Sequence, residues 1–226
     1  MLDRRRFLSY IPLAATTFGG MLSFAPQTIA ASAVEHQGSS GIESLMRGHG
    51  LLTRSLIVSD LIKQRIAKGQ ETDPALVLDT ASIFRNYLQE FHDKAEEKFL
   101  YASMETNNVC FAAIQELKVQ HGTGLELTRR ITNLAKAGKM NAELAGYLGD
   151  FVKMYTHHAA YEDTIVFPAF EGMEKRNDLA EISASFDQEE KRVLGRNGFN
   201  DFLNLVAKVE KKLGIYELSS STPQLQ

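Results

Sequence analysis

An all-α, up-down-up-down four-helix bundle with an additional C-terminal helical segment is the fold the sequence predicts, and three observations predict it. Apolar residues recur at i, i+3, i+4 and i+7 along four long segments, the mark of helices with one core-facing stripe. Short connections carrying Gly, Pro and Asn separate these segments, so neighbours in sequence pack antiparallel. No strand-like alternation of useful length occurs anywhere in the chain.

The first helix is expected from about Ile42 to Ala67, ending at Lys68-Gly69, a basic last turn followed by a glycine stop. Thr72-Asp73-Pro74 opens the second, with Pro at the first helical position, and that helix continues to about Met104. Asn107-Asn108 breaks it. The third spans about Val109 to Ala137 and closes at Gly138; the fourth begins near Asn141 and reaches Pro168. Residues 171–178 read as a polar connection. A fifth helical region runs from about Ser183 to Leu213, interrupted near Gly195 to Gly198, and Phe199, Phe202, Val206, Val209 and Leu213 give it a stripe to pack on the bundle. Gly214 ends it, and the tail Ser219-Ser220-Ser221-Thr222-Pro223 is expected to fray.

Polar residues sit inside the stripes. His158 and Glu162 are four apart, one helical turn on one face, in line with Leu148, Phe151, Val152, Tyr155 and Ile165. His92 and Glu96 repeat the pattern in a stripe through Ala81, Phe84, Leu88, Ala95 and Phe99. His49 lies between Leu45, Leu52 and Leu56, and His121 between Ile114, Leu117, Leu125 and Thr128. Burying such groups unpaired costs roughly 2–7 kcal/mol for each polar group, and more for a charge. A single core His is more often a hydrogen-bonded structural residue, and an i, i+4 His/Glu pair is often a plain surface pair. One inward His on each of four helices, with a Glu on two of them, points instead to a metal. The predicted ligands are His49, His92, Glu96, His121, His158 and Glu162. Counted from alternate ends of antiparallel helices, all four His fall near one level. Imidazole and carboxylate together suit iron first, with manganese or zinc less favoured. Glu97 and Asp163, turned about 100° from the ligand face, either solvate the outer face or orient a ligand imidazole. His157 could replace His158 if the helix turned slightly, but the stripe favours His158.

At 226 residues and 44% hydrophobic content the chain can bury a proper core. Residues 1–33 read as a twin-arginine-type signal peptide. Asp3-Arg4-Arg5-Arg6 begins it, an apolar run from Tyr10 to Phe24 follows, and Ala31-Ser32-Ala33 offers a cleavage site. Pro12 and Gly19-Gly20 interrupt that run, which is too short for a membrane span. Residues 34–41 are a polar lead-in, and His36 within it receives no role. Removing the signal takes three of the 25 basic residues and one of the 28 acidic ones, leaving 22 against 27 and a net charge near −5. An acidic surface gives no support for nucleic-acid binding. No stable membrane insertion is expected after signal removal, and the location is periplasmic or otherwise exported. The single Cys110, among Val109, Phe111 and Ala112, cannot form an internal disulfide and reads as a small buried hydrophobe.

Four stretches together resemble the hemerythrin-like (HHE cation-binding) domain. They are Leu45-Met46-Arg47-Gly48-His49, Phe91-His92-Asp93-Lys94-Ala95-Glu96-Glu97, Gln120-His121 with Leu127 to Ile131, and Met154 through His158 and Glu162 to Pro168. The resemblance covers residues 42–170. It implies a non-haem di-iron centre held by the six predicted ligands, and members bind dioxygen, sense oxygen or redox state, store iron or handle nitric oxide. Oxygen-carrying members have a further His one turn after the third-helix His, and here that position is Leu125. The ligand set is thus similar to the four-His, two-Glu branch, which speaks against simple oxygen transport and leaves an extra open iron position. Gly48 also departs from relatives that carry an acidic residue there. The expectation is a protein that binds a small diatomic ligand such as O2 or NO, with a redox partner, or that senses redox state or handles iron. The alternatives are a di-iron redox enzyme consuming peroxide or nitric oxide, and a metal-stabilised interaction module.

Overall fold

The computed structural model describes residues 41–224, apart from the side chains of 176–178. The expected signal peptide and nearly all of the lead-in lie outside the described residues. Among the described residues every regular element is helical. Helix α1 is Gly41–Ala67. Helix α2 occupies residues 74–106 without a break, but two stretches of it, Phe84–His92 and Glu97–Tyr101, wind as π-helix around the single α turn Asp93–Glu96. Helix α3 is Phe111–Lys136. Helix α4 occupies residues 142–173, with a π turn at Glu162–Val166. Helices α5, Arg176–Leu194, and α6, Phe199–Leu213, complete the chain with a short 3-10 turn at Leu218–Ser221.

Local chemistry sets the ends. The Asp73 carboxylate accepts from the Ala75 amide at 2.8 Å with Pro74 just inside α2, and Asn141 caps α4 by accepting from the Leu144 amide at 3.1 Å. The turn between α2 and α3 is tight, and both Asn108 and Cys110 take left-handed backbone angles to make it. Cys110 is half-buried there rather than enclosed, because its place before α3 holds it at the bundle edge.

In the bundle α1 lies beside α2 and α4, and α3 closes the ring against the same two helices. Leu45, Ile62, Phe84, Ile114, Phe151 and Phe170 fill the interior. α5 and α6 pack on the α1–α2 side. Glu210 of α6 accepts from Arg54 at 2.9 Å, Phe186 of α5 packs on Phe99, and Phe199 of α6 meets Tyr87 with the rings tilted at 60° while the Arg47 guanidinium lies over the Phe199 ring at 4.4 Å.

Two expectations about α4 need correction. The helix does not stop at Pro168 but continues to Met173. The π turn just before it changes the hydrogen-bond register, so Pro168 falls at the first turn of the following α segment, where its missing N–H is tolerated. Ile165, expected in the core stripe, is exposed, and Val166 and Phe167 are buried in its place. Five-residue spacing in the π turn moves the inward face on by one residue. At the C-terminal end, α5 begins at Arg176, earlier than the Ser183 expected, while the break at Gly195–Gly198 is present with both glycines at positive φ.

Candidate metal centre

The structure brings all six predicted side chains together in the middle of the bundle, and all six are buried. α1 supplies His49, α2 His92 and Glu96, α3 His121, and α4 His158 and Glu162. Two groups form. His49, His92 and Glu96 make one, and Glu96, His121, His158 and Glu162 the other, each with ligand atoms within 4.8 Å of one another.

Distances show how the carboxylates are shared. Glu96 Oε1 lies 3.1 Å from His92 Nε2, while its Oε2 faces His121 Nε2 at 3.6 Å. Glu96 therefore spans both groups with its two oxygens. Glu162 Oε2 alone faces both sides, 3.3 Å from His49 Nε2 and 3.2 Å from His158 Nε2. His121 and His158 aim their Nε2 atoms at one point, 3.2 Å apart. Two donors each about 2.1 Å from one metal at a right angle lie about 3 Å apart, so these spacings fit shared coordination.

The fit is also visible in what these atoms lack. His49 Nε2, His92 Nε2, both Glu96 oxygens and Glu162 Oε2 are buried and have no hydrogen-bond partner among the described residues. Folded proteins rarely leave even one such group unsatisfied, and here five converge. A cation held among them satisfies all five.

Charge gives the same answer. Burial, and then the neighbouring Glu162 charge, push the Glu96 carboxyl well above the usual carboxylate range. Burial acts against a charge on Glu162 too, but His158 and His49 outweigh it and hold Glu162 well below that range. Burial also opposes a charge on His49, yet Asp163 and Glu162 raise that imidazole to about 9. Without a metal the cluster therefore keeps protons that a metal would displace.

Behind the donors stands a set of orienting groups. Asp163 lies 2.7 Å from His49 Nδ1, Glu97 2.7 Å from His121 Nδ1, and the Gln120 amide oxygen 3.0 Å from His158 Nδ1. Such partners fix the ring orientation and leave Nε2 free to ligate. Glu97 and Asp163 thus orient ligand imidazoles, each across to a neighbouring helix. His92 Nδ1 has no such partner among the described residues. Tyr101, which the stripe pattern did not single out, donates its phenol proton to Glu162 Oε1 and stacks on His121. It follows Glu96 by five residues, a spacing that only the π turn at 97–101 places on the inward face. His157 is exposed.

Two positions differ from expectation. Leu125 does not face the core one turn after His121, since it is 43% exposed. Gly124 takes the inward place instead, and a Cβ there would lie 2.6 Å from Tyr155 Cε2. The Tyr155 ring fills the room beside Gly124. Tyr155 also packs on His158, at 5.2 Å between rings, and reaches the buried Asp93 carboxylate at 3.2 Å. Gly48 is explained by close approach: its Cβ would meet His92 Nδ1 and the Tyr87 hydroxyl, both at 2.7 Å.

A groove of about 500 Å³ between α1 and α4 reaches from the surface to His49 and Tyr155. Its walls are mostly apolar or small, with Leu56, Ile57, Val152, Ala159 and Ala160 among them.

Comparison with known proteins places the same residues in one family. The family model described as hemerythrin HHE cation binding domain matches residues 40–170. Proteins of Mycobacterium bovis and Mycobacterium tuberculosis, each described as uncharacterized, are 34% identical over 187 residues, covering 80% of this chain and 73% of theirs. No solved structure matches.

Proposed function

The chain belongs to the hemerythrin family of HHE cation-binding domains, and from that premise we propose that it is an exported non-haem di-iron protein. In this reading it binds a small diatomic ligand, O2 or NO, or acts in redox sensing or iron handling. The observation that carries the reading is the convergence of five buried, unpartnered donor atoms on two groups that share Glu96. Four imidazoles and two carboxylates suit iron. Iron bound there would supply ligand binding and electron exchange, which the side chains alone lack. The chain's own part is to aim four Nε2 atoms, bridge them with Glu96 and Glu162, and exclude water with Phe167, Tyr101 and Tyr155. An apolar groove ending at His49 suits a small uncharged ligand better than a large polar substrate.

Metal content of the anaerobically purified protein, with absorption spectra before and after air, tests this. About two irons per chain and ferric bands that grow in air are expected of a di-iron bundle. Zinc alone, or no metal and no response to air, would sink it. Export is part of the same proposal and rests on Arg4-Arg5 ahead of the apolar run. A twin-arginine route carries folded proteins, so metal could be loaded before transport. Replacing Arg4 and Arg5 together by Lys should leave the protein in the cytoplasm, and continued export would refute the route.

A further inference from the structure

We propose that the groove between α2 and α3 is a second binding site, built for a small phosphate-bearing molecule and separate from the metal centre. The inference goes beyond the metal reading above and does not depend on it.

A cavity of about 640 Å³ opens there, within the size range of small-molecule sites. Arg85 of α2 and Arg129 and Lys136 of α3 line it, and Glu126 is the only acidic residue among the described ones that do. Three cations against one carboxylate leave a local charge of +2 on a chain whose formal charge is −3. Even that carboxylate is already engaged. Glu126 accepts from Arg129 Nε and Nη2, both at 2.7 Å, and from Arg130 Nε at 2.7 Å. Arg85 forms an ion pair with Glu90 of its own helix, whereas Lys136 makes none among the described residues.

The floor supplies hydroxyls as well as charge. Thr128 and Thr132 stand four residues apart on one face of α3, and both line the groove. Helical threonines elsewhere in this chain donate their hydroxyl proton to the carbonyl four residues back. Thr80, Thr106, Thr123, Thr156 and Thr164 all do so, at 2.6–2.9 Å. Thr128 and Thr132 do not. Buried Thr128 instead accepts from Gln89 Nε2 at 2.8 Å, which leaves its own proton to give, and Thr132 makes no hydrogen bond among the described residues. Two hydroxyl donors below and three cations at the rim match a phosphate, which accepts on several oxygens and carries more charge than a single carboxylate. Guanidiniums fit its paired oxygens, and the lysine adds a point charge. Leu125, 43% exposed, gives the groove an apolar wall for the organic part of the ligand.

The test is calorimetric titration of the whole protein with phenyl phosphate at physiological salt, where attraction between exposed charges more than about 8 Å apart is screened. Wild type, Lys136→Gln, Thr132→Val and Lys153→Gln are compared, each checked for folding by circular dichroism. Lys136→Gln and Lys153→Gln remove the same charge, but Lys153 is an exposed residue of α4 outside the groove. Thr132→Val keeps shape and charge and removes only the hydroxyl. Wild type is expected to bind one phenyl phosphate per chain. Affinity should fall about tenfold or more in Lys136→Gln and about fivefold in Thr132→Val, and stay within about twofold of wild type in Lys153→Gln. Benzoate, which keeps the ring and exchanges the phosphate for a carboxylate, should bind about tenfold more weakly than phenyl phosphate. No saturable binding to wild type would overturn the proposal. Equal losses in the two lysine variants would overturn it too, because diffuse attraction to an anion would then account for the binding. Unchanged affinity in Thr132→Val, or benzoate binding as tightly as phenyl phosphate, would count against the site in the same way. If Thr132→Val does not fold, Thr132→Ala replaces it with the same expected loss.

Discussion

Gly48 gives the sharpest mutational test of the site, because two ordinary effects oppose each other there. Replacing a helical Gly by Ala usually stabilises by about 1 kcal/mol through backbone entropy. At Gly48 the added carbon would sit 2.7 Å from His92 Nδ1, 2.7 Å from the Tyr87 hydroxyl and 2.8 Å from His92 Cε1. Carbon and nitrogen normally stop near 3.5 Å, so three atoms must each retreat by more than half an ångström. They have little room: His92 is 1% exposed, Tyr87 is 3% exposed, and Phe91, Phe199 and Phe202 surround the Tyr87 ring. Overpacking of this kind costs about 1–3 kcal/mol, which cancels or exceeds the helical gain. Gly50, two residues on in α1, is the internal control, since a Cβ there meets nothing within 4 Å. Gly50→Ala should therefore raise the Tm by about 2–4 °C, while Gly48→Ala should leave it unchanged or lower it by a few degrees. Only Gly48→Ala should also weaken metal uptake, through displacement of His92. Thermal unfolding with and without metal, plus metal content, reads both. A Gly48→Ala protein as stabilised as Gly50→Ala and with full metal content would refute the packing argument.

Other changes probe the donors and their supports. Tyr101→Phe removes the proton that Glu162 Oε1 accepts, and metal affinity should fall by about 10–100-fold; chelator competition that detects less than a twofold change would contradict that role. Leu125→His, in contrast, should leave metal content and absorption spectrum as they are, because the residue is 43% exposed and Gly124 takes the inward place; a new ligand-dependent band would show the opposite. Metal uptake should release protons, since His49 is raised to about 9 and Glu96 well above the usual carboxylate range in the metal-free protein. Apparent affinity should accordingly rise from pH 6 toward pH 9 and fall on acidification, and a pH-independent titration would speak against it.

The four bundle helices were legible because a 3.6-residue stripe survives in each, and His and Glu four apart announce a shared face wherever the helix is α. Legibility ended where the winding changed. Tyr101 stands five residues after Glu96, off any α stripe, so nothing in the periodicity tied its hydroxyl to Glu162. Ile165 was assigned to the core and Val166 was not, for the same reason in α4. Gly124 and Gly48 carry no side chain from which to read a contact; their meaning lies in Tyr155, Tyr87 and His92 on other helices. Nothing in the sequence marks Asp93 as enclosed, and only cross-helix packing against Tyr155 shows that it is. The partial exception is Glu97 and Asp163. Their position beside the ligand Glu residues suggested that they could orient a ring, but which imidazole each would reach depended on helix adjacency.

A π turn holds one residue more than the α turn it replaces, and that extra residue has a consequence for how the chain tolerates change in length. Such a turn follows Glu96 at once and begins at Glu162 itself. Deleting one residue between Glu96 and Tyr101 would let α2 take up ordinary winding, and because an α turn covers the same arc with one residue fewer, all that follows would keep its face. Tyr101 would then stand four residues after Glu96 and still turn toward Glu162. Restoring ordinary winding at unchanged length is what would rotate the rest by about 100° about the helix axis and carry Tyr101 and Met104 away from their places in the core. These five-residue windows are therefore where each helix holds slack: a residue can be lost there that the α segments beside them could not lose without turning the ligand face away.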